Sequence, residues 1–181
     1  PGKDVSYIDT KQGQRAAEAA VEDGERLATL AWLAGDRYPA AELDKAWRQL
    51  VFGAHHDAIT GTEGDQVYLD LLAGWQEAHE RGSSAARSAA RYLAGLVDTT
   101  PPAGIPGGSQ AVVVFSTQSA DRAAGLATVT LDFAAPGPPW LSLADGQGAG
   151  VPFLAEEPAR HPDGTLEGVH DPRADGGATG A

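Results

Sequence analysis

Residues 39–54 read Pro-Ala-Ala-Glu-Leu-Asp-Lys-Ala-Trp-Arg-Gln-Leu-Val-Phe-Gly-Ala. Leu43, Ala46, Trp47, Leu50, Val51 and Ala54 recur at i, i+3, i+4, i+7, i+8 and i+11, one face of a helix, and Pro39 sits where a first-turn proline is tolerated. Such a stripe needs another apolar face to cover it. Upstream, Asp9 followed by Gln12 predicts a helix start, and Ala16, Ala19, Ala20, Leu27, Leu30, Ala31 and Ala34 form a second stripe ending at Gly35. Beyond a turn at Thr60-Gly61-Thr62, the spacing of Tyr68, Leu71, Leu72, Trp75, Ala78 and His79 predicts a third helix that stops near Gly82. Ser83 or Ser84 is placed to cap a fourth, through Ala86, Ala89, Ala90, Leu93 and Leu96. The expected fold class is mainly α, a small bundle of three to four helices over residues 1–98, with Trp47 and Trp75 in its core.

The composition changes after that point. Residues 99–110 form a proline- and glycine-rich linker that neither a helix nor a central strand crosses. Residues 111–160 read as the start of a β-sandwich-like domain: Ala111-Val112-Val113-Val114-Phe115 is a continuous β run, and 128–133 alternates apolar with polar positions. Residues 140–143 and 151–154 are weaker strand candidates separated by Gly146 and Gly150. Three or four short strands do not close a sandwich, so the β part is incomplete. The Pro-, Asp- and Gly-rich stretch 161–181 reads as a flexible tail.

Composition also removes whole classes of function. The 181 residues carry 13 Lys and Arg against 25 Asp and Glu, a formal charge of -12 that repels phosphate backbones and anionic lipid head groups. Nucleic acid and membrane are therefore not expected partners. With no Cys there is no disulfide framework, thiolate metal site or thiol nucleophile. No signal-peptide pattern opens the sequence, which favours a cytoplasmic over a secreted protein, and ten Arg against three Lys with abundant Ala and Gly point to a GC-rich bacterial genome. There is no Met either, so either an initiator was removed before Pro1 or the residues are a segment of a longer chain.

Side chains suited to metal binding and acid–base work gather in one place, His55-His56-Asp57-Ala58-Ile59-Thr60-Gly61-Thr62. Imidazole is a good zinc ligand, and a neighbouring carboxylate can orient it. At the end of a helix, adjacent residues point about 100° apart, so at most one of His55 and His56 would ligate an ion. The other ligands would have to come from elsewhere. On spacing alone, the simpler reading is two imidazoles interacting with a helix dipole. His79, His161 and His170 converge on nothing. Glu156 and Glu157 diverge on a strand, Ser83 and Ser84 lack a His and Asp set, and Trp140 suits a sheet edge better than a sugar-stacking platform.

The run from Ala46 to Thr62, Ala-Trp-Arg-Gln-Leu-Val-Phe-Gly-Ala-His-His-Asp-Ala-Ile-Thr-Gly-Thr, with Asp65-Gln66-Val67-Tyr68-Leu69-Asp70-Leu71-Leu72 after it, resembles the signature of glycoside hydrolase family 38, the retaining zinc-dependent α-mannosidases. In that family a helical middle domain brings this element into the active site, between a catalytic α/β barrel and large β-domains. The resemblance implies that the chain is a fragment covering the middle helical domain and the start of the C-terminal β-domain. Val112-Val113-Val114-Phe115 is similar to the opening strand there, although Ser116 and Thr117 stand where Asn and Pro usually follow.

The resemblance further implies that His56 is a zinc ligand, that Asp57 hydrogen-bonds a sugar hydroxyl near the metal, and that His55 lies behind them or packs. It places the nucleophile and the other zinc ligands in a barrel outside this chain, since residues 1–54 contain no histidine. The expected partners are that barrel, the β-domains and an α-mannoside glycan. Alone, the chain is expected to be inactive, to bind zinc weakly or not at all, and to expose apolar surface where the barrel would meet the bundle. The rival reading is a non-catalytic helical interaction module whose histidines hold no metal.

Overall fold

The structure, a computed structural model, describes residues 7–104, 109–120, 125–131 and 141–154. Among them are four helices: α1 (Ile8–Leu33), α2 (Ala40–Gly53), the single turn α3 (His56–Ile59) and α4 (Asp65–Ala94). Among the described residues no helix is long and apolar enough to cross a membrane. Two compact units are present, one joining the helices to residues 113–120 and the other built from the remaining residues after Asp98.

In the helical unit α1 packs most extensively on α4, and α2 lies across both. The end of α1 follows from Gly35, whose φ of 108° only glycine adopts freely. With it, the Gly35 amide donates to the Trp32 carbonyl at 3.0 Å and the Asp36 amide to that of Ala31 at 2.9 Å, a Schellman closure. Pro39 falls one position earlier than a first-turn proline, at the N-cap of α2, where its carbonyl accepts from the Leu43 amide at 3.1 Å. Leu43, Ala46, Leu50 and Gly53 of α2 are buried. Val51, expected on the same stripe, is 71% exposed, and Ala54 is exposed too.

The predicted third and fourth helices are one. α4 runs through Gly82, Ser83 and Ser84 without a break over 30 residues. The glycine serves a close crossing rather than a stop: a β-carbon at Gly82 would lie 2.6 Å from the Ala20 carbonyl carbon, and one at Gly24 would lie 2.5 Å from the Gly82 carbonyl oxygen. Either side of this contact, small and branched side chains fill the interface in two clusters. Val21, Leu50, Leu71 and Trp75 dominate the first, and Leu27, Leu43, Ala85 and Ala89 the second. Trp75 is 1% exposed and Trp47 packs against the first cluster, so both occupy the core as expected. Burying a side chain the size of Trp75 contributes about 3 kcal/mol.

No strand ladder forms among the described residues; their β pairing is one antiparallel bridge between Ala144 and Gly150. It closes a turn in which Asp145 Oδ1 accepts the Gln147 and Ala149 amides, each at 2.9 Å. The run 111–115 joins no strand pairing among the described residues, and Phe115 packs on the second helical cluster. Pairing requires a second edge with free backbone groups, and none faces this run among the described residues. Phe133, Trp140, Glu156, Glu157, His161, His170 and the tail 161–181 lie outside the described residues.

Candidate metal centre

After Gly53 the chain leaves the helix for two residues and then makes one turn of α3. His55 is that turn's N-cap, with φ -56° and ψ 141°, and its Nδ1 accepts from the Asp57 amide at 3.2 Å. The turn ends at Gly61, whose φ of 69° closes it, with the Gly61 amide donating to the Ala58 carbonyl at 3.2 Å. Thr60 Oγ1 donates to the His56 carbonyl at 2.7 Å and lies 3.1 Å from Thr62 Oγ1. Inward, Ala58 and Ile59 belong to the first core cluster, and Lys11 Nζ of α1 donates to the Ile59 carbonyl at 2.8 Å. This anchoring leaves His55, His56 and Asp57 facing outward.

The two imidazole rings lie 4.1 Å apart, tilted by 34°. His55 is not helical, so the 100° divergence expected of consecutive helical side chains does not apply, and the rings converge. His56 Nε2 stands 3.3 Å from Asp57 Oδ2, with the two side chains 79% and 76% exposed. One ligand atom from each of His55, His56 and Asp57 falls within 4.8 Å of the others, the only such group among the described residues. A tetrahedral zinc with bonds of about 2.0–2.1 Å places its ligand atoms about 3.4 Å apart. His56 Nε2 suits zinc as one such ligand, the Asp57 carboxylate beside it stands close enough to meet a group bound to the ion, and the exposure of both leaves room for ligands from outside.

Tyr68 at the start of α4 donates its hydroxyl to Asp9 of α1, and its ring meets that of Tyr7 at a tilt of 46°, the centroids 4.8 Å apart. The hydrogen bond to Asp9, aided by burial, pushes the Tyr68 phenol up to about 12. Sequence reasoning missed this tie and that of Lys11, because each joins α1 to a distant segment. The proximity of Asp9 to a helix start was visible; its partner was not.

Residues 5–93 match the model of the alpha-mannosidase middle domain. That segment is just under half of the chain. The chain is similar to Alpha-mannosidase 2C1 of Homo sapiens, 29% identical over 94 residues, and to the mouse protein of the same name, 30% identical over 94 residues. Each alignment takes in 51% of this chain and 9% of the relative, so the chain spans a small part of those proteins. No solved structure matches it. The His-His-Asp turn lies inside the matched segment, whereas His79 is exposed on α4 and joins no cluster.

Proposed function

We propose that this middle domain supplies one wall of the active site of an α-mannosidase that hydrolyses terminal α-mannosides with retention of configuration. In this reading His56 provides one zinc ligand through Nε2, Asp57 accepts a hydrogen bond from a sugar hydroxyl, and the nucleophile and remaining ligands lie outside this chain. When bound, the zinc supplies an orienting and electrostatic hold on two neighbouring hydroxyls of the mannose ring. The chain's own task is to present the pair. Ala58 and Ile59 hold the turn to the core, and the solvated side chains of His56 and Asp57 project from it.

The observation that carries the reading is the placement of the one His-His-Asp group among the described residues inside the segment that matches the mannosidase middle domain. Val51 and Phe52, 71% and 72% exposed, precede the cluster and offer apolar surface for a neighbouring domain to cover.

Joining this chain to a barrel-bearing mannosidase segment tests the proposal. The assembled protein should cleave an aryl α-mannoside only with zinc present. His56→Ala should abolish zinc retention and activity together, whereas Asp57→Asn should retain zinc and lower kcat/KM by about 10- to 100-fold, the loss of one hydrogen bond to a charged group. Equal zinc content in wild type and His56→Ala would sink the ligand assignment. The isolated chain should show no hydrolysis.

A further inference from the structure

We infer that His55 is a positioning residue: it orients His56 and Asp57 through the N-cap bond of α3, and that same bond keeps it off the metal. The inference rests on reading His56 as ligand and Asp57 as sugar contact. A backbone amide can only donate, so the His55 Nδ1 that receives the Asp57 amide at 3.2 Å is unprotonated, and the neutral ring carries its hydrogen on Nε2. Neither nitrogen then has a lone pair free for a cation. Ligation through Nε2 would move the proton to Nδ1 and set one N–H against another. Ligation through Nδ1 would remove the cap.

The cap matters because little else fixes the two side chains that follow. α3 has four residues, and a helix that short does not persist on its own backbone bonds. The side chains of His56 and Asp57 are 79% and 76% exposed and among the described residues touch only each other and the His55 ring, so their direction depends on the backbone of the turn and on His55. At the far end the turn is held by Gly61, Thr60 and Lys11. At the near end the ties are the His55 amide, which donates to the Phe52 carbonyl at 3.2 Å, the His55 carbonyl, which accepts the Ala58 and Ile59 amides at 2.9 Å each, and the His55 ring, which alone among the described residues holds the Asp57 amide. The side chain accepts from the second helical residue, the position that Ser and Asn caps use.

Nitrogen-15 NMR and amide hydrogen exchange on the full chain test the inference without metal. The expected results are an Nε2–H tautomer at His55, and Asp57 amide exchange about fivefold faster in His55→Ala, the size of a lost cap bond. His55→Ser and His55→Asn replace the ring by side chains that cap but make poor zinc ligands, and should restore exchange to within about twofold of wild type. An Nδ1–H tautomer, unchanged exchange in His55→Ala, or failure of both Ser and Asn to rescue would each overturn the role. In the assembled mannosidase, zinc retention in His55→Ser supports it, and loss as complete as in His56→Ala overturns it. If His56→Ala keeps its zinc while the exchange pattern holds, the metal reading falls and the cap stands.

Discussion

Trp75 shows how one residue sets conditions on its neighbours. Its ring lies between two glycines: a β-carbon on Gly13 would touch it at 3.4 Å, while one on Gly53 would overlap the indole nitrogen edge. Gly53→Ala is therefore expected to destabilise by about 1–2 kcal/mol, overpacking outweighing alanine's better helix propensity. Trp75 Nε1 has no hydrogen-bond partner among the described residues, so Trp75→Phe removes the colliding edge without leaving an acceptor bare. Combined with Gly53→Ala it should cost less than the sum of the single changes; strict additivity in denaturant melts would refute the overlap. Tyr68 makes a different demand. A phenol pushed up from 10.0 to about 12 by Asp9 binds its proton more tightly when folded. Its contribution is complete below pH 10.0 and is lost as pH rises toward about 12, so stability should fall across that window and Tyr68→Phe should flatten the fall. The His-His-Asp grouping was legible in the sequence because its members are consecutive. The convergence of the two rings was not, since it depends on a dihedral at His55 that breaks the helix between Gly53 and His56.

Among the elements, α4 departs furthest from its sequence pattern. Gly82 followed by two serines has the chemistry of one helix stopping and the next being capped, yet the backbone continues. What overrides the local signal is the crossing with α1, where only residues without side chains let Gly24 and Gly82 approach. Gly82→Ala should destabilise by about 1–3 kcal/mol, because the added carbon meets backbone, which cannot swing aside. Ser84→Ala separates the two readings: at an exposed mid-helix position it should be neutral or stabilising by a few tenths of a kcal/mol, whereas a lost cap would cost about 1 kcal/mol. A drop of that size on thermal melting would restore the two-helix reading. The stripe of α2 was legible as far as Leu50 because burial repeats with the helical period, whereas that of α1 was misplaced: Leu27 and Ala31 are buried, but Ala16, Ala19, Leu30 and Ala34 are exposed, and Ala17, Val21, Gly24 and Ala28 form the buried face instead. Val51 was misplaced because the end of α2 buries Leu50 and Gly53 and turns its neighbour outward.

For the whole chain, the question is what the residues beyond Asp98 do for the helices. The β-branched run 111–115 predicts a strand, since nothing local distinguishes an extended segment that pairs from one that lies on a helical surface. The structure seats the end of the run on the helices: Phe115 packs on the cluster of Leu27, Leu43 and Ala89, and Thr117 Oγ1 donates to Asp23 Oδ1 at 2.7 Å. Both contacts fall within the helical unit, which therefore includes residues far past the linker. A chain cut after Asp98 should still fold, because Trp75, Val21 and the α1–α4 crossing lie upstream, but it should be less stable. Phe115 is only partly buried, so its loss should cost about 1–2 kcal/mol rather than the 3–5 kcal/mol typical of a fully buried Phe→Ala change. The exposed Thr117–Asp23 bond adds less, and together they correspond to a melting temperature lower by about 5–10 °C for a unit of this size. The double variant Phe115→Ala/Thr117→Ala in the full chain should reproduce most of that drop. If truncation lowers the melting temperature and the double variant does not, other residues past Asp98 stabilise the bundle, and the contact of Phe115 is incidental.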